Sequence, residues 1–142
     1  MSHDTSVTWL KTASWVLIAV GVYFAWALYA PLNTVSLVFL DLAVFPIDGA
    51  QSQAATETRL LTAIVGGLTA GIGAVTLAIT RHVYAGDPDL GARLLLSLYI
   101  PWFIIDSAGS VLAGAWFNVI LNCSILGLVL PPLLMRRAPV AA

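Results

Sequence analysis

Asp106 is the residue whose type and position most strongly suggest chemistry. It is the one charged residue between Leu94 and Met135, a run of 42 residues. A carboxyl group inside a membrane-spanning helix costs about 2.5–3.5 kcal/mol on insertion scales, so such a residue usually serves a function. Acid–base catalysis, proton transfer and ligand binding all use a carboxyl group in this setting.

Polar and aromatic residues at helical spacing could share a site with this aspartate. Tyr99 and Trp102 lie to one side of it on the same helical face, and Ser110 lies one turn to the other side. Asn118 and Asn122 are one turn apart on the next apolar stretch, so their amides face the same direction. This spacing predicts that a hairpin of two helices brings these side chains to one level of the membrane.

Two charged residues at the start of an earlier apolar stretch, Glu57 and Arg59, are expected in the same outer half of the membrane. Together these residues predict an amphiphilic pocket that opens toward the outer leaflet. The predicted ligand-binding residues are Glu57, Arg59, Tyr99, Trp102, Asp106, Ser110, Asn118 and Asn122. In an enzyme, Asp106 would be the general acid or base, and the two asparagines would orient the substrate.

The charged residues of this set also have a structural explanation. Asp106 is then a packing residue in protonated form, satisfied by Ser110 or by one of the asparagines. Glu57 then favours the positive N-terminus of its helix, and Arg59 reaches toward the lipid headgroups. The sequence leaves the functional and the structural explanation open.

The composition places these residues in a membrane protein. Of the 142 residues, 60% are hydrophobic and 9% are charged, whereas about a quarter are charged in a typical soluble domain. The mean hydropathy is +0.95. Six Lys and Arg against seven Asp and Glu leave no basic cluster, so nucleic-acid binding is not expected. Cys123 is the single cysteine and the two histidines lie far apart, so neither a disulfide nor a metal site is expected.

A span of the bilayer core needs about 20 apolar residues. Uncharged windows of about that length predict four transmembrane helices, with Asn118 as a candidate N-cap of the last. Their ranges are about 9–30, 57–80, 91–113 and 117–134. Residues 31–56 form one long outer loop, in which the apolar segment 35–45 is too short to cross and is predicted to be re-entrant or interfacial. The predicted fold is a single all-α transmembrane domain over residues 1–142, a four-helix bundle.

The basic residues predict the orientation of this bundle. Arg59 is the one Lys or Arg expected on the side of the long loop. The other five are Lys11, Arg81, Arg93, Arg136 and Arg137. Because cytoplasmic segments are enriched in Lys and Arg, both termini are predicted to be cytoplasmic and the long loop to be outside. This N-in, C-in arrangement is typical of a multi-pass protein of the bacterial inner membrane.

Small residues line the second predicted helix. Gly66, Ala70 and Ala74 recur every four positions, and Gly67 and Gly71 form a parallel row. Such rows let helix backbones approach closely in lipid. The partner is either another helix of the chain or a second protomer of a homo-oligomer.

The layout resembles the small bacterial DoxX-like and related uncharacterised membrane families, with Glu57-Thr58-Arg59 leading into the Gly-rich second helix. It is more loosely similar to styrene oxide isomerases, in which Ala92-Arg93-Leu94-Leu95 would open the third helix in a comparable way. The second likeness implies a membrane enzyme that binds haem between protomers. No histidine occurs near the start of the second predicted helix, so the sequence names no cofactor.

Three hypotheses about function follow. In the leading one, a small inner-membrane protein binds an apolar or lipid-like molecule, or a larger membrane complex as an accessory subunit, through the outer-half pocket. A second is a membrane-embedded enzyme of isomerase or hydrolase type that acts on a hydrophobic substrate. A third is a proton-coupled transporter subunit that uses Asp106. Membrane lipids are expected neighbours in all three.

Overall fold

The computed structural model describes residues 1–135, and over that range the chain forms five α-helices and no strand. The helices are α1 (His3–Trp26), α2 (Thr34–Val44), α3 (Thr56–Ile79), α4 (Pro88–Leu112) and α5 (Asn118–Leu134), and a π-helical turn, Thr80–Tyr84, continues α3. Within this range, three segments are long and apolar enough to cross a membrane, namely α1, α3 with its π turn, and α4. The apolar helix α5 is shorter, with 17 residues. The described chain therefore has the helices of a membrane protein.

The first helix differs most from its predicted range. It begins at His3 because the Ser2 hydroxyl accepts a hydrogen bond from the backbone N–H of Thr5 at 3.2 Å and caps the helix. A search for apolar windows misses this polar first turn. The helix ends at Trp26, four residues before the predicted end, because Ala27 leaves the helical conformation with φ −84° and ψ 60°.

The other predicted spans agree with α3, α4 and α5 to within three residues at each end. The largest difference is at the start of α4, where the Asp87 carboxylate accepts a hydrogen bond from the backbone N–H of Leu90 at 2.9 Å and Pro88 opens the helix. The long loop contains α2, which covers almost all of the predicted segment 35–45.

Glycines let α1 and α3 pack antiparallel with their backbones in contact. A Cβ at Gly66 would lie 2.4 Å from the backbone nitrogen of Ala25, and one at Gly21 would lie 2.3 Å from that of Ala70. Gly73 repeats this close approach two turns further along α3, where a Cβ would lie 2.9 Å from the backbone of α1. Small residues at such an interface are typical of helix pairs in membranes. The partner of this row is therefore a helix of the same chain.

The rest of the small-residue pattern does not take part in that contact. Nothing lies within 4 Å of a Cβ at Gly67 or Gly71, and Ala74 is exposed. The prediction of a tightly packed row is therefore confirmed for Gly66 and Ala70 and is wrong for Ala74. The reason is that α1 crosses α3 on the side that carries Gly66, Ala70 and Gly73, and Ala74 lies outside that side.

One end of the bundle is held by hydrogen bonds to backbone carbonyl groups of α5. Pro132 has no N–H, so the carbonyl group of Leu128 lacks its helical donor. The indole N–H of Trp9 donates to that oxygen at 2.7 Å. The Tyr84 hydroxyl donates to the carbonyl oxygen of Pro132 at 2.8 Å. The start of α1, the π turn and the end of α5 therefore lie together.

We expect Trp9→Phe to lower the stability by about 1–2 kcal/mol, because the Leu128 carbonyl group loses the donor that replaces the missing proline N–H. Thermal unfolding of the purified protein in detergent, followed by circular dichroism, measures the change. Trp26→Phe is the matched control, since Trp26 is 83% exposed. If both variants lost the same stability, the bond between Trp9 and α5 would not be the cause.

At the opposite end, α2 packs against α1 and α5. Phe39 contacts an aromatic ring of α1 with centroids 5.2 Å apart, and Phe45 stacks on Phe117 with centroids 5.4 Å apart. The buried carboxylate of Asp41 accepts the backbone N–H of Gly49 with both oxygens, each at 3.1 Å. Gly49 has a φ of +71°, which glycine tolerates best. The loop after α2 is thereby folded back onto that helix.

Candidate functional site

The candidate site lies on the hairpin formed by α4 and α5. Residues 113–117 make the turn, and Gly114 has a φ of +80°, which favours glycine. Asn118 is the first residue of α5, and its side chain donates across to α4. The prediction that Asn118 is the N-cap is wrong, because Phe117 occupies that position without a side-chain cap.

One oxygen of the Asp106 carboxyl group accepts hydrogen bonds from both asparagines. Nδ2 of Asn122 lies 2.6 Å from Oδ2 of Asp106, and Nδ2 of Asn118 lies 3.2 Å from the same oxygen. The four-residue spacing places the two amides on successive turns of α5, one above the other. Asp106 is half-buried and Asn122 is 4% exposed. The structure thus brings these three predicted site residues together inside the hairpin.

Two serines of α4 accept the other amide hydrogens. Asn118 Nδ2 also donates to Ser110 Oγ at 2.8 Å, and Asn122 Nδ2 to Ser107 Oγ at 3.2 Å. The Ser110 hydroxyl donates to the backbone carbonyl of Asp106 at 2.8 Å. These five residues are called the Asp106 cluster below. Ser107 is missing from the predicted site residues, although its spacing of three from Ser110 puts both hydroxyls on one face of α4.

The hydrogen bonds of the cluster use every amide hydrogen of its two asparagines, since each side-chain amide has two. Within residues 1–135, no hydrogen bond is made by Oδ1 of Asp106, Asn118 or Asn122. None of these three oxygens is fully buried. The fully buried side-chain polar atoms that lack a hydrogen-bond partner in that range are Ser36 Oγ and Gln53 Oε1. The cluster therefore offers hydrogen-bond acceptors, and no amide donors, to a molecule that approaches it.

The surroundings of the cluster are apolar. Phe103 lies three residues before Asp106 on α4 and Ile125 lies three residues after Asn122 on α5, so both share a helical face with the cluster, and both are half-buried. No ion pair with Asp106 occurs within the described part of the chain. Within the described residues, the partners of the Asp106 carboxyl group are therefore the two asparagine amides and no cationic side chain.

Tyr99 and Trp102 lie one to two turns before Asp106 on α4 and take part in a different contact. The Tyr99 hydroxyl and Thr76 Oγ1 of α3 lie 2.7 Å apart, and the rings of Tyr99 and Trp102 meet edge to face at 6.3 Å. Both residues line a cavity of about 20 Å³, which is large enough for about one water molecule. Among the described residues, neither is hydrogen-bonded to the Asp106 cluster. Tyr99 is thus a core residue that joins α3 to α4, and its predicted place beside Asp106 is not observed.

Glu57 and Arg59 are not in the cluster either. Arg59 donates to the backbone carbonyl groups of Gln53 at 2.9 Å and Ala54 at 2.6 Å, and its guanidinium group lies 5.2 Å from the ring centroid of Tyr29. Glu57 is exposed on the first turn of α3. The predicted pocket shared by all eight residues is therefore not formed, because Arg59 instead holds the loop that precedes α3.

A separate groove of about 550 Å³ runs between α1 and α5. It is lined by Asp4, Thr5, Thr8, Trp9, Thr12, Ala13, Val16 and Leu128. None of these residues belongs to the Asp106 cluster, and the groove lies toward the end of the bundle where α1 begins. It does not correspond to the predicted outer-half pocket.

Among residues 1–135, no three His, Cys, Asp or Glu side chains are grouped so that they could hold a metal ion. The free thiol of Cys123 is exposed beside Asn122 on α5. The cluster is thus a site for hydrogen bonding and charge, built from one carboxylate and neutral side chains. Comparisons with models of protein families, with curated proteins and with solved structures find nothing that matches this chain.

Proposed function

We propose that this chain is a four-helix membrane protein that binds an apolar or lipid-like molecule at the Asp106 cluster. In this arrangement α1, α3, α4 and α5 cross a bacterial inner membrane as one domain, and α2 lies at the outer face. The 17 residues of α5 match the lower end of the range of about 17–25 residues for a spanning helix. Both termini are cytoplasmic in the proposed orientation.

Contacts between the ends of the helices support this orientation. Nε2 of His3 lies 3.1 Å from the carbonyl oxygen of Ala85, so the start of α1 and the turn after α3 share one end. Arg59 lies beside Tyr29 at the other end. The described basic residues assigned to the first end are Lys11, Arg81 and Arg93, while Arg136 and Arg137 lie outside the described residues. Such a difference between the two ends favours the first end as cytoplasmic.

Cysteine labelling in intact cells tests the orientation. In a Cys123→Ala background, Ser52→Cys is expected to react with a membrane-impermeant maleimide from outside, because Ser52 is exposed in the loop before α3. Ala85→Cys, at the opposite end, is expected to react only after the cells are opened. The reverse pattern would contradict the proposed topology.

The observation that carries the binding function is the free oxygen of Asp106. A polar network that serves packing alone uses its hydrogen-bonding capacity fully, because unused polar atoms in a low-dielectric interior are costly. Here Oδ2 is held by two amides, while Oδ1 makes no hydrogen bond within residues 1–135 and is open to the outside. The carboxyl group is thus held in place and still has an oxygen available for a ligand.

Molecules that copurify with the protein test this function. The wild-type chain and Asp106→Asn are extracted from membranes in a lipid-preserving polymer, and their lipophilic contents are identified by mass spectrometry. We expect one class of molecule to be enriched with the wild type and depleted with Asp106→Asn. Asp41→Asn is the matched control, since Asp41 binds only the backbone of its own loop. Identical contents in all three samples would contradict binding at the cluster.

Proton-coupled transport is a second candidate, favoured by the same open oxygen. A single intramembrane carboxyl group without an ion pair in the described chain can exchange a proton from its free side. Proton uptake into liposomes that depends on Asp106 would favour this function. In the catalytic hypothesis, by contrast, Asn118 and Asn122 should orient a substrate, and their N–H groups are already engaged within the cluster.

A further inference from the structure

We infer that the polar end of the molecule bound at the Asp106 cluster is a protonated amine, so that the ligand is an alkylamine-like amphiphile. This inference rests on the proposed binding function and specifies its ligand class. It follows from the hydrogen bonds that the cluster leaves unmade, from its charge and from the apolar surface around it.

The hydrogen-bond acceptors that the cluster leaves free define the first requirement on the ligand. Oδ1 of Asp106, of Asn118 and of Asn122 accept nothing within residues 1–135, and every amide hydrogen of the two asparagines is in use. Asn122 is 4% exposed, whereas Asp106 and Asn118 are half-buried, so the oxygens of Asp106 and Asn118 are the more accessible acceptors. Carboxylate and amide oxygens accept hydrogen bonds and do not donate them. A ligand that is itself only an acceptor, such as a carboxylate or a phosphate ester, would find one free donor here, the hydroxyl group of the buried Ser107, against three free acceptor oxygens.

Charge defines the second requirement. A carboxylate in an apolar surrounding is costly unless an opposite charge compensates it. The described chain supplies no cationic partner for Asp106, and the partners of its Oδ2 are two neutral amides. A neutral alcohol would satisfy Oδ1 but leave the charge uncompensated. An ammonium group supplies up to three donors and one positive charge.

The apolar surface defines the third requirement. Phe103 of α4 and Ile125 of α5 share a helical face with the cluster, and both are half-buried, so part of each side chain stays accessible beside it. A hydrocarbon chain attached to the amine can lie along this surface within the lipid, while the ammonium group reaches Asp106. A bare divalent cation fits less well, because it prefers about six or more oxygen ligands, and the cluster has three free side-chain amide and carboxylate oxygens.

A series of three probes with the same hydrocarbon chain tests the ligand class. Decylamine, 1-decanol and decanoic acid differ in the polar group alone. Each is titrated into the protein held in nanodiscs of zwitterionic lipid, with an environment-sensitive dye on Cys123, which is exposed and adjacent to Asn122. Partition of each probe into the bilayer is measured separately on nanodiscs without protein. Asp106→Asn tests the dependence on the carboxylate, and Asp41→Asn is the control for loss of a carboxylate elsewhere.

We expect decylamine to bind the wild type at least about tenfold more tightly than 1-decanol, since hydrogen bonds between charged groups are the stronger ones. Decanoic acid should bind weakest. In Asp106→Asn the amine preference should disappear, because the new amide places a donor where Oδ1 was an acceptor, whereas Asp41→Asn should retain the preference.

Different results of this experiment would overturn the ligand class and the binding function. If 1-decanol or decanoic acid binds as tightly as decylamine and the binding depends on Asp106, the amine is the wrong ligand class and the binding function stands. If no probe binds, or if all bind the wild type and Asp106→Asn equally, the cluster is not a binding site and both proposals are overturned.

Discussion

Gly66→Ala is expected to destabilise the protein by about 3 kcal/mol or more, the upper range for overpacking a tight interface. The added Cβ would lie 2.4 Å from the backbone nitrogen of Ala25 and 2.6 Å from the carbonyl oxygen of Gly21. Backbone atoms cannot move aside as the end of a side chain can, so α1 and α3 have to separate. Thermal unfolding in detergent should show a large fall in Tm and a loss of folded yield.

Gly67→Ala is the matched control for this variant. It changes the neighbouring residue of the same helix in the same way, and nothing lies within 4 Å of the new Cβ. Its stability should stay unchanged or rise slightly, because alanine favours a helix over glycine. Equal stability of the two variants would show that α1 and α3 do not pack through Gly66.

Asp106→Leu is expected to cause the second largest loss of stability. Asn122 and Asn118 would lose the oxygen that accepts both of their amides, and each buried donor left without an acceptor costs about 1–3 kcal/mol. Asp106→Asn should lose much less, because its amide oxygen can replace Oδ2. The double variant Asp106→Leu with Asn122→Leu should recover part of the loss, since removing both partners is less costly than removing one. If Asp106→Leu were as stable as the wild type, the hydrogen bonds of the cluster would contribute nothing to folding.

The sequence predicts the apolar helices of this protein well, because an uncharged apolar window is a strong signal. It predicts the ends of helices less well, because these depend on polar contacts that hydropathy does not register. Ser2 starts α1 well before the apolar window begins, and Ala27 ends the helix within that window. The small residues around Gly66 predict that some helix packs closely on α3, but they could not show that this helix is α1.

The sequence predicts the centre of the candidate site better than its edge. Asp106, Ser110, Asn118 and Asn122 come together because each pair lies one turn apart on facing helices, which is a local geometric rule. Arg59 depends on the path of a long loop, and that loop brings it to the carbonyl groups before α3 instead. The sequence groups these residues only by their expected depth in the membrane, and depth alone could not show that Arg59 lies apart from the Asp106 cluster.

The stability of Asp106→Asn, measured beside its binding of decylamine, is the most direct test of the central claim. If the cluster binds a ligand through the free oxygen of Asp106, the variant should keep a Tm close to that of the wild type, because Asn118 and Asn122 retain an acceptor. Its affinity for the probe should fall at least about tenfold, the effect of losing one hydrogen bond between charged groups. An unchanged Tm together with unchanged affinity would contradict the claim and leave Asp106 as a residue of packing alone.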